Sequence, residues 1–195
     1  MKKTKNNWST RSLVLCAVLT ALVIIIQFLG ANIRFGPFSI TLVLIPIVIG
    51  AAMCGVGVGT WLGFVFGVVV LMTDAGAFLA VSVPGTIITV LLKGTLCGLA
   101  AGLVYRAVEK WNRYAAVAAA ALVCPVVNTG VFLLGCLVFF MDTLAVWTEA
   151  AGLGTNVAGY MIFTLVGANF LFEVGTNVIL SPVIVRLLRI GQKNH

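Results

Sequence analysis

Two ionisable side chains, Lys93 and Glu173, sit inside long apolar runs of this sequence. A charge in a membrane span costs about 2.5–3.5 kcal/mol on insertion scales, so such residues face a cavity or one another rather than lipid. Each belongs to a polar stripe. Thr86, Thr89 and Lys93 recur at i, i+3 and i+7, and Asn169, Glu173 and Asn177 at i, i+4 and i+8, which in each case is one face of a helix. Asn128 and Thr129 follow Pro125 in a third apolar run. The chemistry on offer is recognition. An ammonium, a carboxylate and several amides and hydroxyls either hold a polar ligand or form a buried Lys93–Glu173 pair with amides around it.

Bond-making chemistry is poorly provided. His195 is the last residue and the only histidine. The five cysteines, Cys16, Cys54, Cys97, Cys124 and Cys136, show no CxxC or metal-ligand spacing and read as small buried hydrophobes. No GxxxxGK[ST] phosphate loop is present, so any ATP hydrolysis belongs to another chain. The expectation is a protein that is not an enzyme, with no metal and no cofactor.

The elements that carry these stripes are set by composition. Hydrophobic residues make up 62% of the 195 residues and charged ones 9%, against about 25% charged in a soluble domain. That much apolar surface requires a lipid bilayer. At about 20 residues per span, the chain is expected to be a single all-α integral membrane domain over 1–195. It would be a compact bundle of six transmembrane helices, with spans near 13–30, 40–53, 60–72, 85–105, 114–141 and 157–185. The first apolar run is longer than a signal-peptide core and reads as a retained span. Residues 73–84 and 142–156 read as loops, and Gly55, Gly57 and Gly59 as a tight turn.

Charge orients the bundle. With the N-terminus inside, the inner segments carry Lys2, Lys3, Lys5 and Arg11, then Arg106, Lys110 and Arg113, then Arg186, Arg189 and Lys193. The outer loops carry only Arg34. The positive-inside rule therefore places both termini in the cytoplasm, and it accounts for the net charge of +7 without nucleic acid. At 1.5 Å per residue, Lys93 lies roughly 12 Å and Asn169 roughly 18 Å inward of the outer surface, with Glu173 about a turn deeper. A cavity is expected in the outer half, between the fourth, fifth and sixth spans, capped by the loop containing Arg34. Arg34, Phe35, Phe38, Phe78 and Trp147 read as interfacial anchors or as a lid. Glycines at four-residue intervals, Gly59, Gly63 and Gly67 in one span and Gly94, Gly98 and Gly102 in the next, mark close helix packing.

Four local features then resemble the substrate-binding S-component of an energy-coupling factor (ECF) vitamin transporter. They are Ala17-Val-Leu-Thr-Ala21, an AxxxA motif; GPFSITLVLIPIVIGA from Gly36 to Ala51; the glycine-rich GVGVGTWLGFVFGVVV that follows; and the Asn-bearing last span ending in SPVIVRLL. The resemblance covers nearly the whole chain. It implies a multi-pass protein of the bacterial plasma membrane that captures a vitamin or related micronutrient at the outer face. A transmembrane coupling protein and two cytoplasmic ATPase subunits complete the transporter. Ala17 and Ala21 would dock the partner, as a small-residue face suits. Arg34, Thr86, Thr89, Lys93, Asn128, Asn169 and Glu173 would bind the ligand. Pantothenate is the leading expectation, because it joins a carboxylate, hydroxyls and an amide in one small molecule. Riboflavin or another vitamin is the alternative, with Phe35, Phe38 and Trp147 available to stack a ring. A stand-alone ion-coupled carrier would also use Lys93 and Glu173, but the sequence carries no inverted repeat of the kind many such carriers use.

Overall fold

Long runs of Leu, Val, Ile and Ala with few charges cannot leave backbone groups unpaired in lipid, and they fold as helices. The computed structural model describes residues 10–31, 34–35, 38–39 and 42–193. Its helices are α1 (Thr10–Ala31), α2 (Leu44–Cys54), α3 (Val56–Thr73), α4 (Gly76–Leu79), α5 (Val83–Val108), α6 (Arg113–Phe139), α7 (Met141–Ala150), α8 (Val157–Gly159) and α9 (Ala168–Lys193). A π-helical stretch, Tyr160–Gly167, joins α8 to α9. A two-residue antiparallel hairpin, β1 (Arg34–Phe35) with β2 (Phe38–Ser39), precedes α2.

Among the described residues, five segments are long and apolar enough to cross a bilayer: Ser12–Ala31, Val56–Thr73, Val83–Val108, Arg113–Phe139 and Val157–Arg186. The sixth apolar helix, α2, has 11 residues. That is roughly 16 Å of helix against about 30 Å of hydrocarbon. The second expected span is thus a short helix that starts at Leu44 rather than at residue 40. Its residues Leu44, Ile47, Val48 and Ala51 are buried among the other helices.

Three further boundaries differ from expectation. Only Gly55, at φ 92°, makes the reversal between α2 and α3, while Gly57 and Gly59 are helical. The expected loop at 73–84 contains the α4 turn, and the expected loop at 142–156 is mostly α7.

Three pairings set the directions of the helices. The Trp61 indole donates to Thr20 Oγ1 at 3.2 Å and Gln27 Nε2 to Thr73 Oγ1 at 3.4 Å, so α1 and α3 run parallel. A methyl group on Gly59 would come within 2.9 Å of the Gly98 carbonyl, and one on Gly67 within 2.9 Å of the Val90 carbonyl. Between them, a Cβ on Gly63 would collide with the Gly94 carbonyl. Hence α3 and α5 are antiparallel, with backbones in contact that only glycine permits. α6 returns antiparallel to α5, with Gly85 against Phe139 and Gly135 against Thr89. The main core gathers Val23, Ile47, Leu62, Phe66, Cys97, Val117 and Ile184 from six helices. A smaller cluster of Cys136, Phe140, Leu144, Met161 and Leu165 lies at the end bearing α4 and α7. Arg106, Lys110 and Arg113 lie at the opposite end.

Candidate functional site

At the α4 and α7 end the helices part around a cavity of about 130 Å³. A water needs about 10–15 Å³ of such space, so it has room for a small organic molecule. Its wall contains Thr86, Thr89 and Lys93 from α5, Asn128 and Thr129 from α6, and Asn169 and Glu173 from α9. Six of the seven residues expected to bind ligand therefore share one cavity. The seventh, Arg34, lies in β1, but its side chain falls outside the described residues, as do those of Phe35 and Phe38.

The local sequence explains how each residue reaches the wall. Ser82 caps α5 by accepting from the Gly85 N–H at 3.3 Å, and Pro84 occupies its first turn. This fixes the start of the helix about three turns before Lys93. Gly94, immediately after Lys93, lies against Gly63. The α3–α5 contact thus holds Lys93 at a set height. Its Nζ lies 5.1 Å from the Phe132 ring centre and 5.9 Å from that of Phe66, a cation held between two aromatic faces. On α9, Asn169 Nδ2 donates to Glu173 Oε1 at 2.9 Å, and Asn177 Nδ2 to the Glu173 carbonyl at 2.8 Å.

Two polar atoms on the wall stand out. Thr89 is 3% exposed and Asn128 5%, yet Thr89 Oγ1 and Asn128 Oδ1 have no hydrogen-bond partner in the chain. Thr20, Thr60, Thr73, Thr86, Thr148 and Thr176 each return their hydroxyl to the carbonyl four residues back. Thr89 does not. Leaving a buried polar atom unsatisfied costs about 1–3 kcal/mol, which a bound polar ligand would recover.

Sequence reasoning missed the contribution of α1 and α3. Gln27, nearly fully buried, lines the cavity and donates to Asp74 Oδ2 at 2.7 Å, and Asp74 also lines it. Gln27 is the one amide in α1 and so forms no polar stripe there. Among the described residues, the wall thus carries one ammonium and two carboxylates. Phe78, on α4, meets Phe132, Phe140 and Trp147 edge to face, with ring centres 5.6, 5.1 and 5.5 Å apart. Phe78, Phe132 and Phe140 line one side of the cavity. Phe78 and Trp147, expected as anchors or lid, pack together there.

Ala17 and Ala21 are far from this site. Both lie on the exposed face of α1, with Val14, Val18, Leu22 and Ile25.

Residues 11–185 match the protein family described as ECF transporter, substrate-specific component. The chain belongs to the substrate-specific components of ECF transporters. A substrate-specific component is the substrate-binding subunit of a transporter rather than a catalytic one, and the five long apolar helices accord with its place as a multi-pass protein of the cell membrane. A search of curated proteins found no match.

Proposed function

We propose that this substrate-specific component captures a small carboxylate vitamin at the outer face, with pantothenate the leading candidate. A coupling protein and two ATPase subunits would then drive import. One observation carries the reading: Lys93 stands beside Phe132 and Phe66 on the wall of a cavity whose Thr89 and Asn128 oxygens await hydrogen bonds. An ammonium there attracts a carboxylate. The Thr89 and Asn128 oxygens call for hydroxyl or amide donors on the same molecule. Pantothenate carries all of these groups. Among the described residues, the rings around Phe78 meet edge to face and offer no pair of parallel faces to a flat flavin. The positive-inside rule supports the outward placement, since the cavity lies at the end away from Arg106, Lys110 and Arg113. The same charges place both termini in the cytoplasm, and 1–195 acts as one domain.

Equilibrium binding and thermal shift of the purified protein against a vitamin panel test the proposal. Pantothenate is expected to raise the melting temperature, and a pantothenate analogue stripped of its hydroxyls to do so much less. Tight binding of an uncharged ring system in its place would overturn the anionic reading.

The exposed Ala17 and Ala21 suit close approach of a partner helix. Replacing both with Leu is expected to abolish co-purification of the coupling subunit while leaving the affinity for vitamin unchanged. Assembly that survives the double change would remove these residues from the docking face.

A further inference from the structure

The turn between α5 and α6 has no role in the cavity, yet it concentrates charge and aromatic surface. Trp111 is 87% exposed, the highest value among the large hydrophobic residues described. Arg106, on the last turn of α5, and Lys110, on the turn itself, are both exposed. Arg113 opens α6 and Tyr114 follows it, 49% exposed. Glu109 is the one carboxylate in the segment, and the Tyr105 hydroxyl lies beside both Glu109 and Arg113. Three cations therefore face one acid. Asn112 already accepts from the Tyr114 and Ala115 N–H groups at the start of α6, so the helix end is capped from within.

The position matters as much as the charge. The turn joins two spanning helices, which puts it at the level where a bilayer passes from acyl chain to headgroup. An indole is most stable at that level, and a cluster of Lys and Arg there is attracted to anionic lipid rather than to zwitterionic lipid. We propose that the α5–α6 turn is a seat for an anionic phospholipid headgroup, with Arg106 and Lys110 contacting the phosphate and Trp111 packed beside the glycerol region. Lipid, rather than a protein, is the occupant favoured by charge complementarity together with the exposed Trp111 indole at the shared end of two spanning helices.

The test uses the full chain with Trp8, Trp61 and Trp147 changed to Phe, so that Trp111 alone reports. It is reconstituted in vesicles containing brominated phosphatidylglycerol or brominated phosphatidylcholine at equal mole fraction. Stronger quenching of Trp111 by the phosphatidylglycerol is expected. Changing Arg106→Gln or Lys110→Gln should cut that preference about fivefold each, the effect of one basic side chain at a charged leaflet. Equal quenching by the two lipids would overturn the proposal. Should the triple Trp variant fail to fold, native mass spectrometry of the wild-type chain in a mixture of both lipids gives the same answer. Retained phosphatidylglycerol that is lost in the Arg106→Gln/Lys110→Gln double variant supports the seat, and non-selective retention refutes it. No vitamin is present in either measurement, so the outcome is independent of which vitamin the cavity binds.

Discussion

Pantothenate binding is expected to fall roughly thirty-fold to a few thousand-fold when Lys93 is replaced by Met. Removing one partner of a desolvated charge pair costs about 2–5 kcal/mol, and each 1.4 kcal/mol is a factor of ten. Met keeps the aliphatic reach of the side chain and its packing against Phe66 and Phe132, so the variant should still fold. Thermal unfolding without ligand checks that point. An Arg at the same position would retain the charge and is expected to recover part of the affinity. Isothermal titration gives the comparison directly. Unchanged affinity in the Lys93→Met variant would show that the ammonium is structural, and with it the case for an anionic vitamin would fall.

The second large effect is on the fold. Gly63→Leu or Gly94→Leu should prevent α3 and α5 from packing. A Cβ on either glycine meets the carbonyl of the other, and backbone cannot step aside as a flexible side chain can. Overpacking a core usually costs about 1–3 kcal/mol, and here every added atom pushes two spanning helices apart. The expected outcome is loss of folded protein from the detergent extract, seen as aggregation on size-exclusion chromatography. Gly57 offers the control: it lies in the same helix, and a Cβ there meets nothing within 4 Å. Gly57→Ala should therefore leave the melting temperature within about a degree or two and bind ligand normally, as surface changes generally do. If both positions responded alike, the close backbone contact would not be what holds this pair of helices.

The parts of the site legible in the sequence are those where a polar residue interrupts an apolar helix at helical spacing. Thr86, Thr89 and Lys93 announced themselves in this way, as did Asn169 and Glu173. Gln27 did not, because a single amide makes no stripe. Its role depends on Asp74, a residue 47 positions away, and on the parallel packing of α1 with α3. Nothing in local composition specifies that contact. Polar residues misled in the opposite sense at α7, where Asp142, Thr143, Thr148 and Glu149 suggested a loop although the segment is a helix that buries Leu144 and Thr148. Gly57 and Gly59 likewise suggested a turn. Within α3, Gly59 is instead the price of contact with Gly98. The shortness of α2 was not legible because hydropathy measures apolarity, which α2 has, rather than helix length.

The π-helical stretch at Tyr160–Gly167 also has a geometric consequence. Met161, Leu165, Asn169, Glu173 and Asn177 follow one another at steps of four, and all are buried or half-buried. In an α-helix of 3.6 residues per turn, a step of four overshoots a full rotation by about 40°. Four such steps would carry the row roughly 160° around the axis, out of the bundle and into lipid. A π turn holds more residues, so the same step falls short of a rotation and drifts the other way. Placed at the head of the row, the wider turns subtract part of the rotation that the later turns add. Angular error is thereby offset along the last span, which turns the apolar Met161 and Leu165 and the polar Asn169 and Glu173 toward the same interior.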